Sequence, residues 1–279
     1  MNVRPDEYGV FGHPVGHSLS PFIHSMFARA TQQNLVYRPY EVRPEELGAR
    51  VRSFFAAGGR GLNLTLPHKI PALELAEELT ARATHAAAVN TLVMKGDKLL
   101  GDNTDGTGLV RDLCNNLGLT VTHRRLLVLG AGGATRGILA PLLALEPALL
   151  VIANRTPDRA AALASAFGPL GPTRGASFDE IERAPFDLII NATSASLSGD
   201  IPPLPAAVLG PQTVCYDLAY GPSALAFVHW ARERGCAALQ GLGMLVEQAA
   251  ESFRLWRGMR PGTEEVLAAL RARLGAESR

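Results

Sequence analysis

Cysteine and lysine are scarce in this 279-residue chain, and charge of either sign is thin. The three cysteines, Cys114, Cys215 and Cys236, are odd in number, far apart and in no CxxC pair. That argues against a disulfide framework and against a zinc site. The seven histidines show no ligand spacing, so no metal is expected. Formal net charge is +1 and no block of like charge occurs, so neither nucleic acid nor an anionic membrane surface is expected as a partner. No apolar run approaches the roughly 20 residues of a membrane span, and the opening MNVRPDEYGVFGHPVGHS holds no apolar stretch of signal-peptide length. The expectation is a cytoplasmic protein. At 47% hydrophobic residues the chain can bury a sizeable core, in one large domain or two ordinary ones.

Lysine is the more telling shortage. Against 24 arginines stand only Lys69, Lys95 and Lys98, so positive charge is almost always written as arginine. Lys69 departs from that habit beside an apolar strand, in LNLTLPHK. A desolvated lysine can release its proton and an arginine effectively cannot, which makes Lys69 the better acid–base candidate. Lys95 and Lys98 break the same habit on a plain surface hairpin, LVMKGDKLLG, whose Gly96-Asp97 is a turn signal.

The clearest organisation lies in mid-chain. Arg125 to Leu129 reads as a buried strand, Gly130-Ala131-Gly132-Gly133-Ala134 as a glycine turn, and Arg136 to about Leu145 as a helix. This is the opening of a dinucleotide-binding fold: Gly130 permits the tight turn, Gly132 lets backbone approach a diphosphate, and the helix N-terminus offers free N–H groups to its charge. Thr135 stands where a strict GxGxxG/A pattern wants Gly or Ala. A second strand, Ala148 to Ala153, ends at Asn154-Arg155-Thr156-Pro157-Asp158-Arg159, near the spacing at which NAD-binding folds carry an acidic ribose ligand. Here no acidic residue ends the strand. Two guanidiniums, Arg155 and Arg159, with neutral donors from Asn154 and Thr156, suit a phosphate dianion, and so NADP rather than NAD. Strands at Phe186 to Asn191, Thr213 to Leu218 and Ala237 to Leu239 complete a parallel, doubly wound sheet, with Thr193 and Tyr220 just beyond its carboxyl ends.

The first hundred residues read as a second α/β layer. Strands are expected at Glu7 to Gly12 and Tyr37 to Val42, and helices from Pro21, from Pro44 to Ala57 and from Pro71 to Ala88. Ser20 before Pro21 makes a good N-cap, leaving Ser18 without a role. Asn63-Leu64-Thr65, Asn154-Arg155-Thr156 and Asn191-Ala192-Thr193 match the N-glycosylation pattern, but in a chain read as cytoplasmic three such matches point to roles unconnected with sugar attachment.

Eight stretches in order, VFGHPVGHSLSPFIH, GGRGLNLTLPHK, AVNTL, GDNTDGTG, LGAGGATRG, NRTPDRA, INATS and GLGMLVEQAA, span nearly the whole chain. In them the chain resembles the shikimate dehydrogenases. The resemblance implies an α/β substrate-binding domain (1–106 and 242–279), a Rossmann-like NADP domain (107–241), and C-terminal helices that return to the former. It implies reversible NADPH-dependent reduction of 3-dehydroshikimate to shikimate, in chorismate and aromatic amino-acid biosynthesis, and it allows a homodimer. Residue by residue, Lys69 and Asp105 match the catalytic pair. Ser18 and Ser20 match donors to the substrate carboxylate, with Tyr220 nearby, and Asn63, Thr65, Asn90 and Gln248 match ligands to ring hydroxyls. Gly130, Gly132, Gly133 and Ala134 match the diphosphate loop, and Asn154, Arg155, Thr156 and Arg159 the 2′-phosphate site. Thr193, Leu218 and Gly241 match the nicotinamide half. Reducing a ketone builds negative charge on oxygen, so an ammonium both stabilises it and supplies the proton. His68 departs from the family, where an aromatic or other apolar residue often precedes the lysine. Glycine-flanked linkers near Thr107 and Gly241 suggest closure around substrate. A quinate-oxidising relative and a non-catalytic NADP-binding regulator on the same fold are the competing readings. Arg155 and the serine pair speak against the first, and the intact Lys69 and Asp105 against the second.

Overall fold

A computed structural model of the chain describes residues 4–193, 195 and 200–277. The chain divides into two units, Met1–Gly108 with Leu245–Arg279, and Leu109–Met244.

The first unit is built on a mixed sheet of strands β1 (Asp6–Gly12), β2 (Leu35–Glu41), β3 (Gly61–Leu64), β4 (Glu78–Leu79), β5 (Thr91–Lys95) and β6 (Lys98–Asp102), ordered β2-β1-β3-β5-β6-β4. β1 pairs in parallel with β2 and with β3. Parallel neighbours need long crossovers, supplied by helices α1 (Ser20–Ala30) and α2 (Leu47–Ala56). The β5–β6 hairpin turns on Gly96-Asp97, with Gly96 at φ +67°. Phe11, Val42, Val51, Leu62, Leu64 and Leu92 form the main core. A second cluster gathers Tyr8, Val10, Val15 and Tyr37, with Trp256 packed on it from helix α8 (Leu242–Arg257). Trp256 anchors there by donating from Nε1 to the Leu92 carbonyl at 3.2 Å.

Three local expectations are corrected. Ser20 is not the N-cap of α1: Leu19 occupies that position without a side-chain cap, and the Ser18 hydroxyl accepts from the Ser20 N–H at 3.3 Å. The helix expected from Pro71 to Ala88 is interrupted. After one turn (Pro71–Glu74), Glu78 and Leu79 pair with β6, and Thr80 accepts from Ala83 N to start helix α3 (Ala81–Ala86) afresh. Thr107 lies inside helix α4 (Asp105–Arg111), where a linker was expected.

The second unit carries an entirely parallel sheet of β7 (Arg125–Leu129), β8 (Leu149–Ala153), β9 (Thr173–Ala176), β10 (Leu188–Asn191), β11 (Val214–Asp217) and β12 (Ala237–Gln240). Its order is β12-β11-β10-β7-β8-β9. The order reverses between β7 and β10, the switch point at which such sheets bind ligands. Alternate residues of β7 feed opposite faces. Leu126 and Val128 pack with Leu139 and Leu142 of α5 (Gly133–Leu143) and Leu163 and Phe167 of α6 (Pro157–Phe167). Leu127 and Leu129 pack with Phe227 and Val228 of α7 (Leu225–Arg232). Burial on both faces is why β7, β8 and β10 read as unbroken apolar runs. Trp230 of α7 stacks on Phe227 and lies under the Arg234 guanidinium. β9 escapes sequence reading because TRGA carries no apolar pattern; its pairing with β8 creates it.

Candidate active site

In the first unit the Lys69 Nζ donates to Asp105 Oδ2 at 2.6 Å, and both side chains are largely buried. The chain around the lysine is held by backbone bonds, His68 N to Thr65 O and Val89 N to Lys69 O. The ring of His68 is fully buried. Its Nε2 lies 2.8 Å from the Val42 carbonyl, which fixes it as the N–H tautomer at that nitrogen, and burial pushes its pKa down. Asp105 opens α4 with its N–H on Asn103 Oδ1 and its second carboxylate oxygen accepting from Asn90 Nδ2 at 2.8 Å. The carboxylate therefore has a fixed orientation, and it orients the ammonium.

Behind this pair lies a polar cluster that the sequence shows only in part. Asn63 reaches Tyr37, Thr91 and Ser252 as well as the Asn90 carbonyl. Asn90 is held from Thr104 N and Thr91 Oγ1, and it donates to Thr104 Oγ1. Half-buried Gln248 turns its Nε2 back to the Leu245 carbonyl and its Oε1 toward Thr104 Oγ1 at 3.4 Å. Ser20 is buried, while Ser18 and Thr65 are half-buried. Thr91, Thr104 and Ser252 are not singled out by the sequence, although the threonines sit inside AVNTL and GDNTDG. Ser252 lies one helical turn beyond Gln248, a spacing that could have revealed it.

The loop carrying Asp105 has its own anchor. Arg82 forks onto both oxygens of buried Asp102 and reaches Glu251 at 2.8 Å and Thr107 Oγ1 at 3.1 Å. Burial alone would raise the Glu251 pKa, but Arg254 and Arg82 overcome it and hold that carboxyl at about 2.

In the second unit Gly130 ends β7 at φ +103°, and a Cβ there would stand 3.0 Å from the Ala192 carbonyl oxygen. Gly132 is the N-cap of α5, which starts at Gly133 and not at Arg136. A Cβ on Gly132 would meet only open space, no side chain caps the helix and no acidic residue lies in its first turn. Exposed N–H groups on an open glycine turn fit a diphosphate. Thr135 is accommodated because its hydroxyl donates to the Gly130 carbonyl at 3.0 Å, closing the turn from within. Past β8, Arg155, Thr156 and Arg159 are exposed, and among the described residues neither arginine has an ion-pair partner. Asn154 donates one amide N–H to the Thr156 carbonyl at 3.0 Å, which shapes the turn. At the neighbouring strand ends, Asn191 bonds both Asp217 and Thr193, Leu218 N donates to Asn191 O, and Gly241 N donates to Ala219 O. Tyr220 lies just beyond β11 in the same unit, half-buried.

The family model of the shikimate dehydrogenase substrate-binding domain matches residues 10–92, that of shikimate/quinate 5-dehydrogenase matches 112–198, and that of the shikimate 5′-dehydrogenase C-terminal domain matches 241–271. A shikimate dehydrogenase (NADP(+)) of Methylococcus capsulatus is 54% identical over 271 residues, covering 96% of this chain and 97% of its own. This chain belongs to the shikimate dehydrogenase family. Among solved structures of similar chains, an Ael1 enzyme from Pseudomonas putida shares 45% identity at a TM-score of 0.89, covering 95% of this chain and 98% of its own. The shikimate 5-dehydrogenase of Thermus thermophilus, solved with NADP(H) and shikimate, shares 33% identity at a TM-score of 0.85, covering 96% and 99%. A shikimate dehydrogenase built on these two units is the α/β architecture expected from the sequence. Among the described residues no helix is long and apolar enough to cross a membrane, and no cluster of ligating side chains could hold a metal.

Proposed function

We propose that the protein catalyses the reversible reduction of 3-dehydroshikimate to shikimate with NADPH, and that Lys69 and Asp105 are its catalytic pair. The observation that carries the residue assignment is the 2.6 Å bond between them, beside the amides of Asn63 and Asn90. When bound, the nicotinamide supplies the hydride that reduces the carbonyl carbon. Lys69 is the one lysine of the chain off the β5–β6 hairpin. Its ammonium donates to the C3 oxygen, stabilises the negative charge that develops there and gives up a proton as the alcohol forms. Asp105, held by Asn90 and Asn103, keeps the ammonium on line. Ser18 and Ser20 receive the substrate carboxylate, and Asn63, Thr65, Asn90 and Gln248 the ring hydroxyls. The glycine turn of 130–134 holds the diphosphate, and Arg155, with Arg159 and Thr156, holds the 2′-phosphate that distinguishes NADP. Thr193, Leu218 and Gly241 serve the nicotinamide half. The first unit is accordingly the substrate-binding domain and the second the NADP-binding domain.

The deciding assay follows absorbance at 340 nm with shikimate and with quinate, each with NADP and with NAD. Turnover strongest with shikimate and NADP is expected; no turnover with any pair would sink the reading, and a preference for quinate would move the protein to its polyol-oxidising relatives.

A further inference from the structure

Glu41 ends β2 opposite Gly12 of β1, and the pairing runs one step further, with Val42 N donating to the Gly12 carbonyl at 3.0 Å. In a parallel ladder the next donor, to the Val42 carbonyl, would be the N–H of residue 14. That residue is Pro14, which has none. The His68 ring takes the Val42 carbonyl instead, at 2.8 Å. The Glu41 side chain then continues the attachment past the proline. One carboxylate oxygen lies 2.6 Å from His13 Nδ1, and the other accepts from the Val15 N–H at 3.0 Å. An ionised carboxylate has no proton to give, so both atoms that face it are donors.

From Val15 a chain of bonds leads to the serine pair. The Val15 carbonyl accepts from Ser18 N at 3.0 Å, and the Ser18 hydroxyl accepts from Ser20 N at 3.3 Å. With a lone pair spent on Ser20, the Ser18 hydroxyl keeps its own proton for an acceptor. The same segment lies against the residues that lead to Lys69. His13 N donates to the Leu66 carbonyl at 2.9 Å, and a Cβ on Gly12 would stand only 2.5 Å from Thr65 Cγ2. The base of the attachment is firm, since Val42 is fully buried and bonded on both sides.

We infer that Glu41 is a positioning residue for the substrate carboxylate, its two oxygens holding residues 13–15 so that Ser18 presents a hydroxyl proton to the incoming anion. The inference rests on the reading of the first unit as the shikimate site and deepens it. An acid near an anion site is a drawback by charge alone. Here both oxygens are bonded and the side chain is 52% exposed, so solvent screens the charge while the two bonds order the backbone. Two acceptors on one rigid group are what the two donors require, and an amide has only one acceptor oxygen to offer.

The test uses the full chain and initial rates at 340 nm with NADP, comparing shikimate with its methyl ester, which keeps the ring hydroxyls and lacks the anion. The native chain should favour shikimate over the ester by about tenfold or more in kcat/KM. Glu41→Gln turns an NH2 group on one of the two donors. It should lower kcat/KM for shikimate by about five- to tenfold, mostly through KM, while the ester value and the KM for NADP stay within about twofold. Its melting temperature should stay within about 3 °C of the native chain, as for other half-exposed pairs. Glu41→Asp keeps two acceptor oxygens on a shorter arm and should lose less than Glu41→Gln. Ser18→Ala should also lose the preference for shikimate, and adding Glu41→Gln to it should cost no more than about twofold, because the two act on one contact. Equal losses for shikimate and ester in Glu41→Gln would mark a general loosening and overturn the inference. An unchanged or lowered KM for shikimate in Glu41→Gln would do the same, showing the carboxylate idle or repelling. Either result leaves the functional reading standing, whereas a native chain that turns over neither compound would overturn that reading as well.

Discussion

The ammonium of Lys69 lies 2.6 Å from one oxygen of the Asp105 carboxylate, whose other oxygen accepts from Asn90 at 2.8 Å. A pair so fixed has little orientational freedom left to lose when a substrate oxygen arrives. Lys69→Ala should lower kcat for shikimate oxidation by about 10² to 10⁴, the usual worth of a positioned acid–base group. Asp105→Asn keeps a side chain that can still accept from the lysine, and its loss should be smaller. Initial rates at 340 nm decide both, and full turnover in Lys69→Ala would dismiss the proposed role.

Arg155 and Arg159 are exposed and unmatched by acids among the described residues, on the first turn after β8. Replacing Arg155 by Ala should raise the KM for NADP by about ten- to a hundredfold, the range of a lost charge-assisted bond, and leave the KM for shikimate unchanged. Arg155→Lys should fall between, since a point charge lacks the guanidinium fork.

His24 is fully buried against Tyr37, and burial drops its pKa from 6.5 to about 3. The unfolded chain binds a proton at this residue near pH 6.5, whereas the folded one does not until about pH 3. The stability this residue confers is therefore present above pH 6.5 and is lost progressively as pH falls from there toward 3. At pH 5 the protein should be about 2 kcal/mol less stable than at pH 7 on this account. Urea unfolding at the two pH values should show that gap in the native chain and a reduced gap in His24→Phe.

Glu251 works in a lower window. Its carboxyl, held at about 2 against an ordinary 4.5, adds stability above pH 4.5 that drains away as pH falls through that interval. Glu251→Gln should be less stable than the native chain at pH 7 by about 3 kcal/mol, with the difference closing toward pH 2. Equal unfolding midpoints at neutral pH would show that Arg82 and Arg254 do not depend on it.

How far the sequence discloses the structure depends on where each signal lies. The strand, glycine turn and helix of 125–143 are legible because burial on both faces leaves an apolar run and the turn needs Gly130 at φ +103°. The break within 71–88 is hidden, because β4 exists only through its pairing with β6, some twenty residues on. The Ser20 cap fails for a local reason: Ser18, two residues earlier, already serves the Ser20 N–H. At the site, Lys69 stands out by composition and Asp105 by motif. Tyr37 and Ser252 do not, being 26 and 189 residues from the Asn63 they hold. A hydrogen bond closed across the fold leaves no periodicity in the chain.

The placement of the two tryptophans gives the molecule a built-in optical assignment. Trp256 lies among the aromatic rings of the first unit and Trp230 on α7 of the second. With one indole in each, emission from Trp230→Phe follows only the first unit and emission from Trp256→Phe only the second. Two single-tryptophan variants therefore show, without any label, whether shikimate and NADP each quench their own half and whether the halves melt together or in sequence.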